Sequence, residues 1–172
     1  MRIVNTPSNL VTVAAVLAMI CPIFGQSTGT TPPAGDPNVV AMFFAYYDTL
    51  AADVQTKRQQ NAATADPAEQ GAAKSIGGLT VTDFRTVGTV NNALKQQLQA
   101  IDGEGAAYAQ SLGAAQQAPD AARLRDLAAR RQGAITGGIQ SLQKTLSPAG
   151  WVALSTYIDG EFRKGITRRL LK

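Results

Sequence analysis

From residue 40 onward, apolar side chains recur at steps of three and four, and no stretch shows the strict alternation of a strand. That period marks helices with one buried face. The first predicted helix opens at Asp36-Pro37, an acidic N-cap followed by proline at the first helical position. Val40, Phe43, Phe44, Tyr47, Leu50 and Val54 form its apolar face, up to about Asn61. Asp66-Pro67 repeats the start signal and predicts a short helix to Ser75, which Gly77-Gly78 ends.

The most regular stretch follows. Thr80 and Asp83 have capping-box spacing. Beyond them Phe84, Val87, Asn91, Leu94, Leu98, Ile101, Gly105, Tyr108 and Leu112 alternate steps of three and four, a heptad seam of the coiled-coil kind. Asn91 is expected at a solvated edge of that seam, with a role in fixing register as the alternative. A connector at 113–119 leads to a helix from Asp120 to about Leu146, striped by Leu124, Leu127, Ile135, Ile139, Leu142 and Leu146. Gly133, Gly137 and Gly138 within it suggest close approach of a neighbouring helix. Ser147-Pro148 opens the last helix, whose face is Trp151, Leu154, Ile158, Phe162 and Ile166. The pattern as a whole predicts an all-α protein, an antiparallel helical hairpin or a three- to four-helix bundle.

The first 35 residues are of another kind. Arg2 followed by the apolar run Leu10 to Ile20, then Pro22 and Gly25, reads as an export signal over 1–25. That run has eleven residues, short of the roughly 20 a transmembrane span needs. Residues 26–35 (QSTGTTPPAG) read as a flexible linker ahead of a single helical domain over 36–172. The expected location is periplasmic or secreted. Cys21 closes the signal and is a candidate for lipidation, although Ile20 lacks the small size usual before a lipidated cysteine. If the signal is cut at Gly25, the mature chain holds no cysteine and its stability comes from helix packing alone.

Composition narrows the chemistry. The 172 residues include one cysteine and no histidine, which excludes Ser-His and Cys-His nucleophile pairs and His-ligated zinc. Asp48/Asp53, Asp102/Glu104 and Asp159/Glu161 are spaced so that the members of each pair diverge on a helix, and no phosphate-binding or EF-hand motif is present. The chain is therefore expected not to be an enzyme and to use no cofactor or metal. The net charge of +4 divides unevenly: residues 26–162 hold ten basic and twelve acidic side chains, whereas 163–172 hold five basic ones and no acid. A near-neutral body argues against nucleic acid as a partner. The basic end, Arg163, Lys164, Arg168, Arg169 and Lys172, is a candidate for contact with an anionic membrane surface, or simply complements the negative end of the last helix. Arg123, Arg125, Arg130 and Arg131 are expected to be a solvated helix face paired locally with Asp120 and Asp126.

Two segments share a start: Leu79-Thr80-Val81-Thr82-Asp83 and Leu146-Ser147-Pro148-Ala149-Gly150. In an exported, helical, cysteine-poor chain of this size, the pair resembles the Spy/CpxP group of periplasmic stress proteins, marked by a twice-repeated Leu-Thr-x-x-Gln. The glutamine position holds Asp83 in one copy and Gly150 in the other. The resemblance implies a long-helix cradle, often dimeric, that binds unfolded clients or modulates a sensor without ATP.

Together these features predict an exported, non-enzymatic helical binding protein, chaperone-like or a stress adaptor, with a protein partner or unfolded client. Phe43, Phe44, Tyr47, Trp151 and Tyr157 are the candidate partner-binding residues, and their helical spacing fits core packing as well. The alternative is a structural or peripheral-membrane envelope protein, held by its basic end or a lipidated Cys21. The seam also leaves a homodimer open.

Overall fold

A computed structural model describes residues 36–115 and 117–170, with side chains through Ile166. The expected signal (1–25), Cys21, the linker (26–35) and Lys172 lie outside the described residues, as do the side chains of Arg168 and Arg169. The described chain is all-helical and contains no strand. Its five helices are α1 (Pro37–Gln60), α2 (Ala62–Ser75), α3 (Val81–Ala115), α4 (Ala121–Thr145) and α5. The last runs through Pro148–Tyr157, a π-helical turn Ile158–Phe162, and Arg163–Leu170. No described helix is long and apolar enough to cross a membrane. The chain divides into two compact units, one containing Gln97–Gln132 and the other residues 36–96 and 133–170.

In the larger unit, most helix boundaries follow from local chemistry. Asp36 accepts the Asn38 N–H ahead of Pro37, as the sequence predicts. The second helix starts earlier than Asp66-Pro67. Asn61 is extended and serves both neighbours: its N–H donates to the Lys57 carbonyl, and its side chain accepts the Ala63 N–H. Pro67 is thus inside α2, where the missing N–H is tolerated on an exposed stretch. Gly77 and Gly78 end α2 with φ of +86° and +74°, and the N–H groups of Gly78 and Leu79 cap the carbonyls of Lys74 and Ala73. At Gly77 a Cβ would also lie 2.7 Å from the Ala153 carbonyl oxygen, so glycine is required there twice over.

The two similar helix starts meet at one buried carboxylate. Asp83 accepts the Thr80 hydroxyl at 2.8 Å, the Ser147 N–H at 3.0 Å and the Ser147 hydroxyl at 3.0 Å. Thr80 and Ser147 in turn cap their own helices by accepting the N–H groups of Asp83 and Gly150. One acid therefore ties the starts of α3 and α5 together. Gly150 is packed so tightly that a Cβ would sit 2.6 Å from the Asp83 carboxyl carbon.

The core of this unit is built from Phe43, Phe44, Ile76, Val87, Leu142 and Leu154, with their buried neighbours. Asn91 is 4% exposed, not at a solvated edge. Its amide donates to the Asp48 carboxylate at 2.7 Å, and Lys95 holds the other oxygen of Asp48 at 2.8 Å. A buried amide with a partner 43 residues away fixes which stretch of α1 lies on α3. Tyr47 donates to the Phe84 carbonyl, and its hydroxyl lies 2.7 Å from where a Cβ on Gly88 would stand. Of the three glycines expected to admit a neighbour, Gly138 alone does so, against Leu94 and Phe44; a Cβ at Gly133 or Gly137 would meet nothing within 4 Å.

The smaller unit holds the end of α3 and the start of α4, running antiparallel: Asp102 pairs with Arg131 and Glu104 with Arg130. The arginines expected to pair locally mostly reach across instead. Both terminal nitrogens of the Arg130 guanidinium, Nη1 and Nη2, donate to Glu104 at 2.7 Å, and Arg123 approaches the same acid at 3.7 Å. Across-helix contacts win because Glu104 accepts Arg130 through two parallel hydrogen bonds, whereas the local Asp126 lies 3.9 Å away.

Candidate functional site

The chemistry-bearing side chains of the described residues are dispersed. No group of three or more Asp, Glu, His or Cys among them is arranged to hold a metal ion. The carboxylates Asp48, Asp53, Glu69, Asp102, Glu104 and Asp159 each face a lysine or arginine. Glu69 is the most enclosed of them, held by Arg85 through two hydrogen bonds of 2.8 and 2.6 Å. Those bonds keep its carboxyl below the usual range despite burial.

The concave surface lies elsewhere, between α1 and α5. Met42, Tyr46, Tyr157, Glu161, Phe162, Gly165 and Ile166 line a groove of about 340 Å³. Its geometry follows from helical spacing. Phe43 and Tyr47 face the core, so Met42 and Tyr46, one position earlier on α1, stand at its edge. On α5 the π turn sets the floor. There the Arg163 N–H reaches back five residues to the Ile158 carbonyl, which adds a residue to that turn. Phe162 is consequently only half-buried and stands within a ring cluster. It meets Phe43 edge-on at 5.7 Å, Tyr46 at 5.6 Å and Tyr157 at 6.2 Å between centroids. Gly165 contributes no side chain, which leaves the groove open on that side. Met42 is 46% exposed, one of the large apolar side chains left open to solvent.

Tyr157 stands on the ridge between this groove and a wider cleft of about 520 Å³, whose lining includes Lys74, Gly77, Gly78 and Lys164. Glu161 lines both. The Tyr157 hydroxyl is pushed up to about 12, first by burial, then by Tyr46 and its hydrogen bond, and then by Glu161. It therefore remains a neutral donor at any physiological pH.

Of the five aromatic residues expected to meet a partner, Phe43, Phe44 and Tyr47 are buried in the core. Burial holds the Tyr47 hydroxyl protonated, well above its ordinary value, with Glu69 and Asp48 adding to the effect. Trp151 is half-buried beside a cleft with room for about 10 Å³, too small to admit more than one water. Only Tyr157 among the five lines the groove. Met42, Tyr46 and Glu161 were not legible as groove residues, because the sequence pattern marks the buried face and the groove is one position away from it. At the basic end, Arg163 pairs with Asp159 at 3.4 Å, Lys164 borders the wider cleft, and Ile166 faces the groove.

Compared with known proteins, the chain finds no match: no family model, no curated protein and no solved structure resembles it significantly.

Proposed function

We propose that this is an exported, non-enzymatic binding protein that holds an apolar segment of a partner or unfolded polypeptide, in the manner of a chaperone or stress adaptor. The observation that carries this reading is the groove between α1 and α5, where Met42, Tyr46, Tyr157, Phe162 and Ile166 present apolar and aromatic surface to solvent. Concave apolar surface with few polar groups is the usual form of a binding site. Its rings are backed by the buried core through Phe43, so the site is rigid on that side and binding costs little ordering there. The dispersal of titratable groups supports binding over chemistry, since general acid-base work needs such groups to converge.

Aggregation of a reduced, unfolding client protein, followed by light scattering, tests the reading. The full chain should suppress scattering at near-equimolar ratio. Met42→Asp, a change at a half-exposed position, should weaken that protection several-fold while leaving the melting curve in place. Scattering that is the same with and without the protein would overturn the proposal.

A further inference from the structure

The groove is apolar along its walls, but among the described residues one charged side chain, that of Glu161, lines it. Glu161 is exposed and has no lysine or arginine within ion-pair distance among the described residues, in contrast to Asp159 two residues earlier, which pairs with Arg163. The two described cations next to it are placed otherwise: Arg163 pairs with Asp159, and Lys164 borders the wider cleft without an ion pair to the carboxylate. Beside Glu161 stand three aromatic rings, those of Tyr46, Tyr157 and Phe162, with neighbouring centroids 5.6 and 6.2 Å apart. An aromatic ring is attracted to a cation through its quadrupole, and a carboxylate through its full charge. Met42 and Ile166 complete the lining with surface suited to a methylene chain.

From this charge complementarity we infer that the groove selects apolar polypeptide segments that carry a lysine, with the ammonium group at Glu161 and the ring cluster and the butyl stem against Met42 and Ile166. Lysine is the side chain that joins a compact cation to a long apolar stem, which is the combination the lining asks for. The inference rests on the groove being a polypeptide-binding site and names which polypeptides it prefers. An acidic segment would meet Glu161 as a like charge and should be rejected.

Two fluorescently labelled peptides of identical apolar sequence test it, one with a central lysine and the other with Nε-acetyl-lysine there, titrated with the full chain by anisotropy. The wild type should bind the lysine peptide about five- to tenfold more tightly, the size expected of a partly desolvated cation–aromatic and carboxylate contact. Glu161→Gln should bring the two affinities to within about twofold while retaining the acetylated peptide, and its melting curve should match the wild type because Glu161 is exposed. Equal binding of both peptides by the wild type overturns the lysine preference and leaves the groove as a binding site. Binding of neither overturns the groove as a polypeptide site, and the preference with it.

Discussion

The two compact units are held by different forces. In the larger, Phe43, Ile76, Val87, Leu142 and Leu154 are almost wholly removed from water, and the polar groups among them are answered by specific partners. In the smaller, Ile101 and Leu127 are the only buried residues among those described, and ion pairs between half-exposed side chains join the two helices. Burial of a large apolar side chain contributes about 1.5–3 kcal/mol, whereas an exposed ion pair is worth about 0–1 kcal/mol and is screened by salt. A long helix can therefore be one continuous element and still be anchored very unevenly along its length.

The sharpest way to break this contrast is at Phe43, which is fully buried and touches the rings of Phe44, Tyr157 and Phe162. Phe43→Ala should cost about 3–5 kcal/mol in chemical denaturation. The same substitution should also loosen the groove, because the ring backs Tyr157 and Phe162 on its α5 side.

A smaller effect is expected at Asp83, where one carboxylate serves two helix starts. Asp83→Ala should cost about 2–3 kcal/mol at neutral pH, because it removes the acceptor of three hydrogen bonds, from the Thr80 hydroxyl and from the Ser147 N–H and hydroxyl, and leaves those donors without it. Burial alone would raise this carboxyl, but the Ser147 N–H and the hydroxyls of Thr80 and Ser147 outweigh it, and its value falls below the ordinary one. A depressed folded value means the stabilisation is complete above the unfolded value, near 4, and is lost as pH falls through the lower folded value. Wild-type stability should therefore decline below about pH 4, and the variant should decline less steeply. Identical acid limbs in the two proteins would show that the carboxylate is not held as described. Glu69 and Glu104, whose carboxyls are also held low by Arg85 and Arg130, contribute to the residual slope.

The smallest effect should come from the other unit. Glu104→Gln removes the acid that gathers Arg130 and Arg123, yet it should shift the global melting temperature by no more than about 3 °C. Its signature should be local: amides in 97–132 should exchange faster with deuterium, and 1 M salt should have the same effect on the wild type. Uniform protection across both units would erase the distinction drawn above.

The helices themselves were plain in the sequence, since their apolar periods and caps act within a few residues. Asp36, Thr80 and Ser147 behave as the local pattern predicts. What the pattern missed was decided at longer range. Asn91 is polar, and nothing near it in the chain reveals that Asp48 waits on another helix. The early start of α2 turns on Asn61, whose double duty depends on the helix before it. The groove was hidden for a different reason. Periodicity identifies Phe43 and Tyr47 as a face, and that face is the core; the accessible edge, at Met42 and Tyr46, carries no period of its own.

The π turn has a consequence for how this chain can change length. Each residue of an α-helix advances the side-chain direction by about 100°, so one residue lost from Ile158–Phe162 would re-phase everything after it. Ile158 and the helix before it would keep their seat in the core, while Phe162 and Ile166 would swing off the α1 edge. A single-codon deletion there would therefore uncouple the scaffold from the groove in one step, which makes the turn the place where related chains could keep this fold and lose this site.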